Sequence, residues 1–313
     1  MVAETLAVGR SSVLDALQGR SLLGSAAGGP AVGARHRVAL AGALIDQVDL
    51  MGALDRIRSF LASGTGHQIV TVNLDFLSIA ERDPHFRETI NRADLAVADG
   101  MPLVWASQLT HRPLPERIAG VDLVDASCRI AAQTGHGVYL LGAAPGIAKV
   151  AARRMAALYP GLRIAGICSP PFSELLPKEN ERIVRHIREA APGFLFVALG
   201  APRQDLWIRT HLEQLQVPVC MGVGCVLDLF AGNVKRAPVW MQRGGLEWAF
   251  RLGQEPQRLW RRYLLNDVPT LGRLVLRALR EDESLAGGEV DGNGVGVGVP
   301  TPAVSQPAAP PTA

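Results

Sequence analysis

Short apolar runs alternate through the middle of the chain with longer stretches of helical periodicity. We predict strands at Arg37–Ala41, Ile69–Val72, Leu95–Ala98, Val138–Leu141, Arg163–Ile167, Phe194–Leu199 and Val217–Val223. Helices are predicted at Pro145–Leu158 and Lys178–Glu189, and from Phe76 to Asn91 with an interruption at Asp83-Pro84. Alternation of strands and helices favours an α/β fold with a mostly parallel sheet flanked by helices.

The two ends of the chain differ from the middle in composition. Residues 1–35 are rich in Gly, Ala and Ser, and residues 285–313 consist largely of Gly, Pro, Ala and Val. Such segments bury too little apolar area to offset their ordering entropy, so we expect both to be disordered. The predicted organisation is therefore a core at 36–234 and a C-terminal helical appendage at 235–284 between two tails.

Composition narrows the class of protein. The 313 residues, 48% of them hydrophobic, suffice for one large α/β domain or two small ones. We find no run of about 18 apolar residues and no signal-like N-terminus, so we expect neither a membrane span nor secretion. Four cysteines follow no common zinc pattern and are expected to be free thiols in a reducing cytosol.

Polar side chains follow two neighbouring predicted strands. Thr71 and Asn73 stand at the end of one strand, and Asp99 follows the next strand along the chain. In open parallel sheets, ligands bind at the edge where the carboxyl ends of the strands meet. Asp99 also has apolar neighbours on both sides, which is an unusual setting for a merely solubilising carboxylate. A helix N-cap is the alternative role for this side chain.

Glycine-bearing turns follow three further predicted strands, at Gly142, Gly200 and Gly222. Each turn can present backbone N–H groups to a phosphate, although none matches a dinucleotide or P-loop fingerprint. Just beyond Gly200, Arg203 and Gln204 stand at a predicted helix start, where arginine can bind phosphate and glutamine can bind uracil or a sugar hydroxyl. Tight turns and a solvated helix start are the alternative interpretations.

The segment from Lys235 to Arg280 is strongly basic. It holds ten Lys and Arg residues against three Asp and Glu, a larger excess than the +3 of the whole chain. Tryptophans and leucines are interleaved with these arginines, which suits an anionic membrane surface. The alternative is an ordinary helix that packs through its apolar side and leaves its arginines solvated. Nucleic acid is not expected as a partner, because no motif for it is present.

Eight blocks of sequence stand in a characteristic order between about Arg37 and Arg280. They read TVNLDFL, RADLAVADGMPLVWAS, LPERIAGVDL, VYLLGAAPG, YPGLRIAG, LFVALGAPRQDLWI, GVGCVLDLFAGNVKRAPVWMQRGGLEW and RLWRRYL. In content and order these blocks resemble the WecG/TagA/CpsF family of bacterial glycosyltransferases, a family of UDP-N-acetylmannosamine-type transferases. One departure is the T-V-N-L-D sequence beginning at Thr71, where many members have T-P-N-P-E, and this difference bears on the donor sugar.

The resemblance implies a Rossmann-like core with a C-terminal appendage that associates with the inner face of the cell membrane. It implies transfer of an N-acetylmannosamine, glucose or uronic-type sugar from a UDP-sugar to an undecaprenyl-diphosphate-linked sugar in surface polysaccharide biosynthesis. The implied transfer is inverting and needs no metal ion and no cofactor. The resemblance is also compatible with a homo-oligomer.

The resemblance further implies roles for individual residues. Asp99 would be the catalytic base and Arg117 a second catalytic residue. Substrate contacts are implied for Thr71, Asn73, Gln204, Arg251, Arg258, Arg261 and Arg262. From its residue type alone, Asp99 is expected to be ionised at neutral pH, because the ordinary pKa of aspartate is about 3.9.

Two other classes of protein remain open from the residues alone. A Rossmann-type nucleotide-sugar oxidoreductase would need a dinucleotide fingerprint, which the first strand–helix turn lacks. A non-catalytic membrane-surface adaptor would use the basic C-terminal segment but leaves Thr71, Asn73 and Asp99 unexplained.

The sequence also contains no D-x-D motif after an apolar strand, so arginines are expected to balance the charge of a leaving diphosphate.

Overall fold

Six parallel strands form the central sheet of the protein, in the order β4-β3-β8-β7-β5-β6. The computed structural model describes residues 35–170 and 176–286, so the predicted disordered tails lie outside the described residues except at positions 35, 285 and 286. The strands of this sheet are β3 (His67–Val72), β4 (Leu95–Ala98), β5 (Gly137–Gly142), β6 (Arg163–Cys168), β7 (Phe194–Ala198) and β8 (Val219–Gly222). All six were predicted from the sequence to within two residues at each end, and the α/β fold with a parallel sheet is confirmed.

The helices connect these strands and cover both faces of the sheet. Those of the core are α1 (Leu50–Ser63), α2 (Leu74–Arg82), α3 (Pro84–Arg92), α4 (Met101–Ser107), α5 (Gly120–Thr134), α6 (Ile147–Leu158), α7 (Pro177–Ala190), α8 (Arg203–Leu215) and α9 (Val226–Ala231). Apolar side chains of α1, α5, α6 and α9 pack on one face of the sheet. Those of α2, α3, α4, α7 and α8 pack on the other face. The result is a three-layer structure whose strands are buried on both sides.

A two-stranded antiparallel hairpin precedes the sheet, with β1 at Arg37–Leu40 and β2 at Ala43–Asp46. Only β1 was predicted. Ala41 and Gly42 make the two-residue turn, and both have positive φ, which is the geometry of a type I′ hairpin. The buried carboxylate of Asp46 accepts hydrogen bonds from the backbone N–H of Ala96 and from arginine side chains. The hairpin is thereby fixed against edge strand β4.

The C-terminal segment, residues 235–286, is helical and folds back on the core. Its helices are α10 (Val239–Arg243), α11 (Glu247–Gln254), α12 (Pro256–Arg261), a π-helical turn (Arg262–Asp267) and α13 (Val268–Ala286). Leu274 of α13 is buried in the core cluster that includes α2 and α4. Within the described residues, no helix is both long enough and apolar enough to span a membrane.

Candidate active site

Thr71 and Asp99 lie at the carboxyl ends of the adjacent strands β3 and β4. The strands are in parallel register there, with Val72 opposite Ala98, and the N–H of Asp99 donates to the carbonyl of Val72 at 2.7 Å. The backbone N–H of Gly120 donates to Oδ2 of Asp99 at 3.1 Å. A Cβ placed on Gly120 would lie 3.4 Å from both Asp99 Oδ2 and Thr71 Oγ1. Thr71 and Asp99 therefore meet at the first turn of α5.

Asn73 lies beside these two residues at the start of α2. Its Oδ1 accepts a hydrogen bond from the backbone N–H of Phe76 at 3.1 Å, so the side chain is the N-cap of the helix. The structure thus places Asn73 at the predicted edge of the sheet and gives it a local structural role there.

Asp99 is in a strongly charged setting. Burial raises the pKa of its carboxyl group above the ordinary value, and the negative charge of Glu247 adds to that rise. Arg117, the N–H of Gly120 and Arg251 oppose the rise without cancelling it. A higher pKa makes the carboxylate a stronger proton acceptor than an exposed aspartate, which suits a general base.

Three arginines interact with this carboxylate through charge, and they differ in how they contact other acids of the protein. Arg117 donates to Oε2 of Glu247 at 2.7 Å, and both side chains are more than four-fifths buried. Arg236 makes a two-pronged contact with Asp122, in the first turn of α5, at 2.6 and 2.8 Å. Arg251 interacts with Glu247 and Asp99 through charge alone and makes no ion pair within the described residues.

Gln204 and Gly222 form the neighbouring part of the same edge, at the ends of β7 and β8. Oε1 of the buried Gln204 accepts a hydrogen bond from the N–H of Gly224 at 3.1 Å. A Cβ on Gly222 would lie 2.6 Å from Nε2 of Gln204 and 2.5 Å from Oδ1 of Asp205. Glycine is required at position 222 because these two side chains pack directly against its backbone.

The other two glycine turns have different surroundings. Gly142 has a φ of +98°, and a Cβ there would lie 2.5 Å from the carbonyl oxygen of Ala198. Close packing of β5 on β7 therefore accounts for Gly142. Gly200 also has a positive φ, but a Cβ there would meet nothing within 4 Å. Of the two turns, only the one at Gly200 has open space in front of its backbone.

The structure does not bring the remaining predicted arginines into one cluster with Asp99. Arg203 is exposed and donates to the carbonyl of Leu199 at 3.1 Å. The guanidinium of Arg261 stacks on Trp260, and Arg262 pairs with Asp75 at 3.3 Å. A substrate contact was also predicted for Arg258, but its side chain lies outside the described part of the structure.

Sequence reasoning missed several members of the site. Glu247 and Arg236, whose charges interact with Asp99, were not singled out, and neither was Asp122, which pairs with Arg236. One signal was available, because Glu247 and Arg251 are four residues apart on α11 and so share a face of that helix. In the described part of the chain, no group of three or more His, Cys, Asp or Glu side chains is arranged to hold a metal ion.

Comparison with known proteins identifies the family to which the chain belongs. The model of the glycosyl transferase WecG/TagA/CpsF family matches residues 38–284. The chain belongs to this family. Similar proteins from Staphylococcus aureus strains MW2, NCTC 8325 and MRSA252 are each 31% identical over 247 residues, covering 78% of this chain and 94% of the relative. Each is named N-acetylglucosaminyldiphosphoundecaprenol N-acetyl-beta-D-mannosaminyltransferase.

This WecG/TagA/CpsF protein is therefore a glycosyltransferase. The predicted family and the predicted enzyme class are both confirmed. The oxidoreductase and the non-catalytic adaptor, which the residues alone left open, are set aside.

Proposed function

We propose that the protein transfers an N-acetylmannosamine-type sugar from a UDP-sugar to an N-acetylglucosamine linked to undecaprenyl diphosphate, for cell-surface polysaccharide. The names of the relatives specify this sugar and this acceptor, but they do not mention the nucleotide of the donor. The observation that carries the proposal is the position of Asp99. One carboxylate with a raised pKa stands at the ligand-binding edge of a parallel sheet, among three arginines.

Asp99 acts as the base in this proposal. It takes the proton from the acceptor hydroxyl as that oxygen attacks the anomeric carbon, and the bond from this carbon to the UDP oxygen breaks. The relatives' names specify a beta-linked product. With an α-linked UDP donor, a single displacement gives that product with inversion. Gly120 keeps Asp99 in place through its N–H.

Arginines balance the charge of the leaving UDP in place of a divalent cation. Arg251 is the best placed to bind phosphate directly, because it has no ion-pair partner within the described residues. Arg117 adds a second positive charge close to Asp99. The open turn at Gly200 can contribute backbone N–H groups, and Gln204 lies beside it for the uracil or sugar.

The C-terminal segment docks the enzyme on the inner leaflet, where a lipid-linked acceptor resides. The segment buries Leu259 and Leu274, but much of its contact with the core is made by arginines. Arg236, Arg262 and Arg273 contact acids of the core or of the segment itself. Large apolar side chains instead face outward, at Trp240, Trp248, Trp260, Leu264, Leu265, Val268 and Leu276. Such side chains suit insertion at the headgroup boundary.

A donor screen tests the proposed function. Purified protein is mixed with a prenyl-diphosphate-linked N-acetylglucosamine in detergent and with UDP-N-acetylmannosamine, UDP-N-acetylglucosamine, UDP-glucose or UDP-glucuronic acid. UDP release that depends on the acceptor, with UDP-N-acetylmannosamine as the best donor, is the expected result. The anomeric configuration of the product is read by NMR and should be β. Transfer only from a glucose or uronic donor would refute the proposed donor and retain the reaction class.

A further inference from the structure

The ion pair between Arg117 and Glu247 joins two distant parts of the chain. Arg117 lies in the loop before α5, and Glu247 is the first residue of α11 in the C-terminal segment. Burial by itself raises the pKa of Glu247, but Arg117, Arg251 and Arg236 hold it below the ordinary value. Glu247 is therefore a charged carboxylate that contacts Arg117 and interacts with Arg251 and Arg236 through charge.

We infer that Glu247 is a positioning residue for sugar transfer, which holds Arg117 beside Asp99. The inference rests on the proposed function, since it deepens the role of the same site. The 2.7 Å contact takes Nη1 of Arg117 and leaves the rest of the guanidinium for a diphosphate. Because a displacement of about 1 Å at such a group can cost about 100-fold in rate, the contact matters for turnover.

The location of Glu247 separates this role from simple docking of the segment. Other ion pairs also attach the segment to the core, among them Arg273 with Glu81 on α2 and Arg262 with Asp75. Neither Glu81 nor Arg273 is among the charges that act on Asp99, whereas Glu247 raises the pKa of Asp99 directly. Loss of Glu247 should therefore change the site while the segment remains attached through its other contacts.

The test compares Glu247→Gln with Glu81→Gln, which breaks a core-to-segment ion pair away from the site. Transfer is measured in detergent with saturating acceptor, and thermal unfolding is recorded for each variant. Glu247→Gln should lower kcat about 10- to 100-fold with less than a threefold change in KM for the donor. Glu247→Asp, which keeps the charge, should recover part of that loss. Glu81→Gln should keep kcat within twofold of the unchanged protein.

A double-substitution cycle connects the effect to Arg117. Once Arg117 is replaced by Gln, adding Glu247→Gln should lower kcat by less than a further twofold, because the side chain that Glu247 positions is then absent. A loss of kcat in the double variant that equals the product of the two single losses would overturn the inference. So would a kcat within twofold of normal for Glu247→Gln, or faster turnover with tighter UDP binding, since the carboxylate would then be blocking the site.

Calorimetric titration with UDP separates this inference from the proposed function. If the unchanged protein turns over none of the four donors, the proposed function fails on that result alone. The positioning role is then read from the affinity for UDP. Arg117→Gln, Glu247→Gln and the double variant should weaken UDP binding to the same extent, and additive losses would overturn the inference.

Discussion

The backbone N–H of Gly120 donates a hydrogen bond of 3.1 Å to Oδ2 of Asp99. This N–H belongs to the first residue of α5, where backbone donors have no partner within the helix. The carboxylate that we propose as the base thereby satisfies a helix terminus, and the helix orients the carboxylate in return. The second oxygen of Asp99 is not engaged by this bond, which suits a group that must accept a substrate proton.

Replacement of Asp99 by Asn should abolish most of the transfer and preserve the fold. The amide cannot accept a proton, so kcat should fall about 10²- to 10⁴-fold, the usual contribution of a positioned base. The affinity for UDP, measured by calorimetry, should change by less than threefold. Turnover within tenfold of normal in a homogeneous sample of Asp99→Asn would rule out Asp99 as the base.

The acidic limb of the pH–rate profile should move when Arg117 is replaced by Gln. Asp99 must be ionised to act, so turnover falls as the pH drops through its raised pKa. Arg117, Arg251 and the N–H of Gly120 lower that pKa, whereas burial and Glu247 raise it. Loss of the Arg117 charge should therefore shift the limb to higher pH. A limb that is unmoved, or moved to lower pH, would contradict this electrostatic picture.

Transfer should continue in excess EDTA. In the proposed function, the arginines at the site supply the positive charge that a divalent cation would otherwise bring to the leaving diphosphate. The measurement is the initial rate of UDP release with EDTA, and again after readdition of Mg²⁺ or Mn²⁺. Activity lost in EDTA and restored by either ion would show that the reaction needs a metal.

Anionic liposomes should bind the protein through both charge and apolar contact. Each Lys or Arg near an anionic leaflet contributes about 1 kcal/mol, but several arginines of the segment are occupied by acids. Binding should therefore weaken in high salt without vanishing. The double variant Leu264→Asp/Leu265→Asp should bind anionic liposomes at least tenfold more weakly than the unchanged protein, as measured by co-sedimentation.

The matched control for membrane binding is Leu176→Asp, which changes an equally exposed leucine at the start of α7, outside the C-terminal segment. This variant should bind liposomes like the unchanged protein. An equal loss of liposome binding in Leu176→Asp and in the double variant would show that the membrane contact is not specific to the C-terminal segment. Binding that is the same on neutral and anionic vesicles at every salt concentration would exclude the electrostatic contribution.

The free energy of unfolding should fall as the pH rises, because of the buried carboxyl group of Asp205. Burial raises the pKa of this carboxyl to about 7, and nearby Gln204 opposes the rise. The folded chain thus holds a proton that the unfolded chain loses near pH 4, so the free energy of unfolding falls between about pH 4 and 7.

The variant Asp205→Asn should remove that fall and stabilise the protein at pH 8 by about 1–3 kcal/mol. Urea unfolding at pH 5 and pH 8 measures it. Asp267, whose pKa burial also raises to about 7, leaves a residual slope. Glu213→Gln, at an exposed position on the same helix, serves as the control. A pH dependence in Asp205→Asn that equals or exceeds that of the unchanged protein would refute the assignment.

Local patterns sufficed to predict the sheet and its ligand-binding edge. Each strand of the parallel sheet is a short apolar run, and strand-end residues such as Thr71 and Asp99 converge because parallel strands end on one side. Strand β2 was missed because Ala41-Gly42 is not among the usual hairpin dipeptides. The short run that follows this turn offered little periodicity of its own.

Tertiary charge contacts were beyond sequence reasoning. Arg117 and Glu247 are 130 residues apart, and no local pattern pairs them. The amphipathic pattern of the C-terminal segment likewise did not determine which side faces the core. That orientation depends on acids such as Asp75 and Glu81, which the core presents to the segment's arginines.

The position of β8 affects the order in which the fold can form during synthesis. This strand lies between β3 and β7, so it alone connects the pair β3–β4 to the trio β5–β6–β7. Until Val219–Gly222 has left the ribosome, the nascent chain can hold only two separate half-sheets. Asp99 belongs to one half and Gln204 to the other, so the proposed site cannot assemble before the last strand of the sheet.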